Sequence, residues 1–468
     1  MFRNYFKTAL RNLVRNRTYA IVNIVGLAVG VASVLLIFGV VRFELSFDNF
    51  HQNKERIYRL VSVPYQEGTG FKTSASVPLP VAEGLRIDYP QLEKVGAIFG
   101  RDGQISIAAD GLQAEKKFNE SQSVYFAEPS FFDIFNFGWL AGNPKTALTS
   151  MHSVVLTRET AEKYFGSWRT AIGKTIKYDN GDVFQVTGIL KDPPYNTDFP
   201  LGIVFPYQAL KNVDRNDWVG TYGHGYCFVR LPSEMSAAAF NLHLHEFVKK
   251  HKPADHINDG IQLQPLADMH FDARYGNFNG RVFSKKLINT LSFIALFLII
   301  IACVNFINLS TAQAVNRSRE VGVRKVLGSR RLQLIIQFLC ETGLITFFAV
   351  LLGTSLASAT LPFLSKLLHV KLIFAFDDPQ LFLFLTGITF GVTLVSGFYP
   401  AVVLSGFSPI SALKNKFSRG RLHGISLRRG LVVLQFCISQ ILIICVLIMV
   451  SQMNYFRNAD IGFNKESI

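Results

Sequence analysis

Charge-free stretches and alternating stretches divide this chain before any residue is considered singly. Residues 19–41 run 23 positions without a charge. At about 1.5 Å per residue that is enough to cross roughly 30 Å of hydrocarbon. Residues 287–316, 379–413 and 430–456 are likewise uncharged, and 332–365 carries Glu341 alone. Between the first and second runs, over 43–286, the apolar stretches shorten. Segments 56–63, 105–109, 182–190 and 261–266 alternate with period two and predict strands, while 81–87, 157–164 and 235–250 have helical periodicity. The mixed order predicts an α+β domain large enough to bury its own core.

The pattern predicts a membrane α-helical bundle with a large α+β extracytoplasmic domain inserted between the first and second transmembrane helices. An amphipathic helix is expected over 1–18, with Arg3, Lys7, Arg11 and Arg15 on one stripe beside Phe2, Phe6, Leu10 and Val14, suited to the membrane interface. Spans are expected at 19–42, 287–312, 334–362, 380–404 and 430–454, with the domain at 43–286. Basic segments at 313–333 and 405–429 and a short external loop at 363–379 connect the later spans. Residues 455–468 read as the start of a second external domain. The first apolar run is too long for a signal-peptide core and has no small-residue cleavage site, so it reads as a retained anchor.

Composition agrees: of 468 residues 49% are hydrophobic and only 17% charged, too apolar for an ordinary soluble chain. The net charge of +15 raises the question of nucleic acid, and its placement answers it. Residues 1–18, 312–333 and 405–430 hold 17 of the 48 basic residues and one of the 33 acids, so the rest of the chain is within one charge of neutral. Basic residues gathered beside spans mark the cytoplasmic side and attract anionic lipid, which puts the N-terminus in the cytoplasm. No basic and aromatic interleaving of the nucleic-acid kind accompanies them.

The densest of these segments, 317–331, reads RSREVGVRKVLGSRR. If helical, it sets Val321, Val323 and Leu327 among Arg317, Glu320, Arg324 and Arg331, a short amphipathic surface. Its string from Arg319 to Gly328, Arg-Glu-Val-Gly-Val-Arg-Lys-Val-Leu-Gly, resembles the loop after the second membrane helix in ABC-transporter permeases of the MacB/FtsX type. Further strings resemble that family in matching order: Glu-Pro-Ser-Phe-Phe-Asp-Ile-Phe from Glu128, Ala-Glu-Lys-Tyr-Phe-Gly from Ala161, Ile-Gly-Lys-Thr from Ile172, Val-Thr-Gly-Ile-Leu-Lys-Asp-Pro from Val186, and Phe-Tyr-Pro-Ala from Phe398. The resemblance implies a MacB-like periplasmic core domain, an FtsX-like membrane domain and an inner-membrane location. It also implies a separate cytoplasmic ABC ATPase that docks on the loop and holds the ATP and Mg, leaving this chain without a cofactor. Arg319, Glu320, Gly322, Arg324, Lys325 and Gly328 are then the ATPase-coupling residues, the charges making contacts and the glycines allowing close approach or a turn. The chain resembles the first half of a duplicated permease, so a second permease unit, as a second copy or a further half, is an expected partner beside lipid and a periplasmic adaptor.

Other residues carry weaker signals. Gly26 with Gly30 and Gly387 with Gly391 form two Gly-x-x-x-Gly pairs, read either as helix-packing faces or as the ordinary glycine content of membrane helices. Asn305 and Asn308 share a face of the second span, for interhelical hydrogen bonding or a substrate path. Glu341 is either a functional intramembrane acid or a side chain snorkelling to the cytoplasmic side. Gly173-Lys174-Thr175 is no phosphate-binding loop, because Trp168 occupies the required glycine position. His245-Glu246 lacks the second histidine of a zinc-protease helix, Lys249 standing there. Cys227 is the one cysteine outside the apolar runs, so no disulfide framework is available and no metal is expected. A permease that couples ATP hydrolysis to its external domain, exporting a drug, peptide or lipid-linked cargo, is the leading reading. Its alternatives are a non-transporting regulator of a cell-envelope enzyme and a membrane-anchored sensor or scaffold.

Overall fold

The structure, a computed structural model, describes residues 2–65, 72–108, 115–406 and 423–458, with side chains throughout except at 2–4, 314–319 and 423–428. Expectations for 407–422 and 459–468, within the second basic segment and the C-terminal tail, lie outside the described residues. The chain divides into two compact units, Arg42–Ile288 and Met1–Val41 with Asn289–Ile468.

Helices α1 (Phe2–Arg15) and α2 (Arg17–Leu45) open the chain. The strands of the first unit are β1 (Ile57–Pro64), β2 (Lys94–Gly100), β3 (Gly103–Ala108), β4 (Glu115–Glu120), β5 (Val124–Ala127), β6 (Trp139–Ala141), β7 (Ser153–Thr157), β8 (Thr175–Tyr178), β9 (Val183–Leu190), β10 (Ile203–Pro206), β11 (Gly225–Arg230) and β12 (Asp259–Pro265). Its helices are α3 (Val81–Asp88), α4 (Phe131–Ile134), α5 (Arg158–Phe165), α6 (Ala237–His251) and α7 (Leu266–Met269). Then follow α8 (Lys285–Val326), α9 (Arg331–Leu368), α10 (Pro379–Gly406) and α11 (His423–Asn458).

The strands form one mixed sheet in the order β12-β1-β11-β2-β5-β10-β7-β9-β8-β3-β4, with β6 on β9. β5 pairs parallel with β10 and β7 with β9; the other pairs are antiparallel. Successive strand residues point to opposite faces, and here both faces are covered. Val124 and Phe126 of β5 join one core with Phe99, Phe205 and Phe247, while Tyr125 and Ala127 join the other with Phe131, Phe135, Phe199 and Phe228. Such strands read as continuous apolar runs instead of alternating ones. β3, β9 and β12 show in the periodicity, as does β1 through its polar Arg59 and Ser62 although both its faces are buried, and β2, β5, β7, β10 and β11 do not. The three helices expected at 81–87, 157–164 and 235–250 correspond to α3, α5 and α6, with Thr157 and Ser236 accepting from the backbone N–H three residues on as N-caps.

Among the described residues five helices are long and apolar enough to cross a membrane: α2, the first 29 residues of α8, α9, α10 and α11. Glycines set their close approaches. A Cβ on Gly30 would lie 2.8 Å from that of Ala302, and one on Gly26 3.5 Å from Asn305 Nδ2, so α2 lies against α8 along this pair. Gly353 brings α9 to the Ala28 carbonyl of α2, and Gly397 brings α10 to Thr342 of α9. The second Gly-x-x-x-Gly pair makes no such approach: a Cβ on Gly387 or Gly391 meets nothing within 4 Å among the described residues. α10 packs instead through Val392, Ser396, Gly397 and Pro400, on another side of the helix. Over the basic segment at 313–333, expected as a coupling loop or helix, α8 continues unbroken to Val326 and only four residues separate it from α9. α1 buries Ala9 and Leu13 and leaves Phe6, Leu10 and Val14 exposed next to Lys7, Arg11 and Arg15, the arrangement of an interfacial helix.

Overpacking a tight helix contact costs about 1–3 kcal/mol, whereas a substitution into open space stays within about 0.5 kcal/mol. Gly30→Leu is therefore expected to destabilise the full chain in detergent by that larger amount and Gly391→Leu to leave it unchanged, read from circular dichroism in an SDS titration. Equal sensitivity of the two positions would contradict this packing.

Candidate coupling site

α8 ends in an apolar and basic tip. Val321 and Gly322 are buried, whereas Val323, Val326 and Leu327 are exposed, Leu327 to 79%. Gly328 follows at φ +95°, a left-handed conformation that a side chain would strain, and Ser329 N–H closes the turn onto the Arg324 carbonyl at 3.0 Å. The Gln333 side chain then accepts from the Arg330 N–H at 2.9 Å and starts α9, whose second residue, Leu332, is 66% exposed. Glu320 and Arg324 pair one helical turn apart. The structure thus brings Glu320, Gly322, Arg324, Lys325 and Gly328 into one helix end and turn. The side chain of Arg319 lies outside the described ones. Val326, Leu327 and Leu332 thus stand exposed around the turn among cations, an apolar patch of the kind that marks interaction surfaces.

The intramembrane candidates do not converge on one site. Asn305 lies beside Gly26, and the Asn308 side-chain oxygen is buried without a hydrogen-bond partner among the described residues. Glu341 is only 4% exposed. It lines a cavity of about 10 Å³ with Tyr19, Ser310, Gln313 and Thr342, room for about one water.

The most concentrated polar chemistry lies elsewhere, in the external domain, and the sequence did not disclose it. Glu44, in the last turn of α2, has no exposed surface. One of its oxygens accepts from His270 Nε2 at 2.8 Å and the other from the Arg281 guanidinium. His270 Nδ1 faces Asp198 Oδ1 at 3.1 Å, and Asn277 donates to the same oxygen at 2.8 Å. Burial raises the Asp198 carboxyl, and its hydrogen bond to His270 and the attraction of that ring oppose the rise. Burial opposes a charge on the ring, but the hydrogen bonds and attraction of Asp198 and Glu44 outweigh it and raise His270 above its ordinary range. Asp48, at φ 52°, accepts from the Thr197 hydroxyl and from the Asp198 N–H. Burial, then the charge of Asp198, pushes it up to about 8. Burial alone lowers His51 to about 3, and its Nδ1 accepts from the Asn136 N–H. The available signal was positional: Glu44 is the first acid after the first span, and His270 and Arg281 precede the second.

The domain also has a cleft of about 580 Å³ between α3 and the segment after β10, with Arg86 bonded to Glu128 and Arg215 lying over Tyr207. Cys227 is buried in β11, and burial raises its thiol, so it is a core residue and no nucleophile. His251 pairs with Asp88 and stacks on Trp218, and Gly173 occupies a positive-φ turn before β8. No group of metal-binding side chains occurs among the described residues.

Residues 20–245 match the model of the MacB-like periplasmic core domain, and residues 292–409 that of the FtsX-like permease C-terminal region. A macrolide export ATP-binding/permease protein MacB from Pasteurella multocida is 22% identical over 71% of this chain and 48% of its own length. An uncharacterized ABC transporter permease, YvrN, from Bacillus subtilis is 21% identical over 88% of this chain and 99% of its own. Among solved structures, a domain of a permease protein from Porphyromonas gingivalis is 18% identical over 52% of this chain and 98% of its own, with a TM-score of 0.39. The chain spans about half the length of the first MacB relatives it matches.

The buried cluster sets a pH dependence. Asp48 holds a proton in the folded state from its ordinary 3.8 up to about 8, and His270 holds one above its ordinary 6.5. Both therefore add stability that is lost as pH rises through their folded values, while His51 acts in the opposite sense only below 6.5. The thermal midpoint of the external domain in the full chain is expected to fall between pH 6.5 and about 8.5, and Asp48→Asn to flatten the slope. A midpoint that rises over this window would refute the assignment.

Proposed function

The chain belongs to the ABC-transporter permeases of the MacB/FtsX type, and from that premise we propose that it couples ATP hydrolysis by a separate cytoplasmic ATPase to movement of its external domain. The exposed Val326, Leu327 and Leu332 around the Gly328 turn carry this reading. They form an apolar knob with a basic rim at the foot of a 42-residue helix. One continuous helix is a stiff lever, so displacement at its foot is passed along it. The knob faces the cytoplasm together with the N-terminus, and the ATPase supplies ATP and Mg.

The permease handles an export substrate, of which drug-like, peptide and lipid-linked cargo are the classes. Export of macrolides belongs by name to relatives of which this chain spans about half, and only an export role is carried over from them. A second permease unit would cover α11, whose apolar window is not buried among the described residues. A periplasmic adaptor is a further partner of the external domain. A non-transporting regulator would use the same coupling without cargo, and a sensor or scaffold would use none of it.

Removing a central apolar anchor from such a knob typically costs about 2 kcal/mol or more, roughly thirtyfold in affinity. Leu327→Glu, and separately Glu320→Lys with Arg324→Glu, are expected to reduce ATPase recovered in a detergent pull-down by at least that factor and to abolish vanadate-sensitive hydrolysis. Undiminished recovery with both variants would reject the turn as the docking site. Wild type that recruits no ATPase would favour the scaffold reading.

A further inference from the structure

The chain joins the external domain at two roots, the end of α2 and the approach to α8, about 240 residues apart. A single carboxylate holds both. Glu44 belongs to the first root, and its two oxygens are taken by His270 and Arg281, on the segment that leads to Lys285. A third segment, 196–199, grips each root in turn. Asn196 donates to the Ser46 carbonyl at 3.0 Å and Thr197 to Asp48, while the Asp198 carboxylate takes His270 and Asn277. This strap joins β9 to β10 in the middle of the sheet. Phe199, fully buried, fixes it in the aromatic layer, with ring centroids 4.7 Å from Phe135 and 5.4 Å from Phe228.

Stability alone gives no reason for such a cluster. Buried ion pairs are commonly no more stabilising than apolar side chains of the same volume, and Phe47 and Phe199 already surround the site. Charge-assisted bonds add what apolar packing lacks, a fixed direction and a fixed length between two particular backbones. Two such bonds on one carboxylate also restrain rotation of one root about the other.

We propose that Glu44, His270, Arg281 and Asp198 form a cross-tie that makes the two roots move as one body and delivers their displacement through the 196–199 strap to β9 and β10. The inference deepens the coupling reading and rests on it. These are positioning residues, remote from nucleotide chemistry, and they determine whether motion of the helices becomes motion of the sheet.

The test compares wild type, Glu44→Gln and Arg281→Gln as full chains in nanodiscs with the co-purified ATPase, by hydrolysis rate and backbone hydrogen exchange. Glu44→Gln is expected to keep ATPase binding and hydrolysis within about twofold of wild type. Exchange at 42–50 and at 277–284 should rise together by about tenfold, the loss of a charge-assisted bond. The vanadate-dependent change in exchange across 183–206 should disappear. Arg281→Gln, at a partly exposed position, should show the same pattern more weakly, and it carries the test if Glu44→Gln fails to fold. A rise at one root alone, or a vanadate-dependent change that survives in a folded variant, overturns the cross-tie. If wild type recruits no ATPase, the coupling reading falls separately, and nucleotide-free exchange still decides: a joint rise upholds the tie and a one-sided rise refutes it.

Discussion

A carboxylate with no exposed surface is tolerated only when other groups replace its water, and Glu44 is such a carboxylate. Its partners are drawn from a segment more than two hundred residues further along the chain. Satisfying that one charge therefore fixes where the chain leaves the first apolar helix and where it approaches the second. Asp198 and Asp48 extend the same requirement to the strap between β9 and β10, so the roots and the middle of the sheet share one network. Networks of this kind are all-or-none: each member is costly to leave unpaired once its neighbours are buried.

The sheet explains why that network has something firm to hold. Both of its faces are packed, with large aromatic side chains on each, so strands in its middle have little freedom to shift singly. In the membrane unit the close approaches are made by glycines at positions 26, 30, 353 and 397. Where helices approach this closely, they respond to load by moving together.

Much of this was legible in the sequence, for identifiable reasons. Runs with at most one charge locate the five membrane-capable helices among the described residues, because a charge is costly in hydrocarbon. Strands with one polar face, such as β3, announce themselves by alternation; β5 and β10, buried on both faces, do not. The Gly328 turn was visible because its string is distinctive, but the unbroken length of α8 was not, since charge density in 317–325 suggests a loop and helical propensity does not forbid a helix. The two Gly-x-x-x-Gly pairs look alike in sequence and differ in the fold, because which side of a helix meets a neighbour is a tertiary fact. The Glu44 cluster was hidden for the same reason: its members are scattered over more than two hundred residues, and each alone reads as an ordinary charge beside a span.

The central proposal is that ATP hydrolysis by an ATPase docked at the Gly328 turn changes the shape of the external domain. Spin labels at Lys145 and Leu242, both exposed on that domain, would report it directly by pulsed dipolar spectroscopy in nanodiscs containing the ATPase. The account predicts that vanadate trapping shifts the distance distribution between them. An unchanged distribution while the bound ATPase turns over would contradict it.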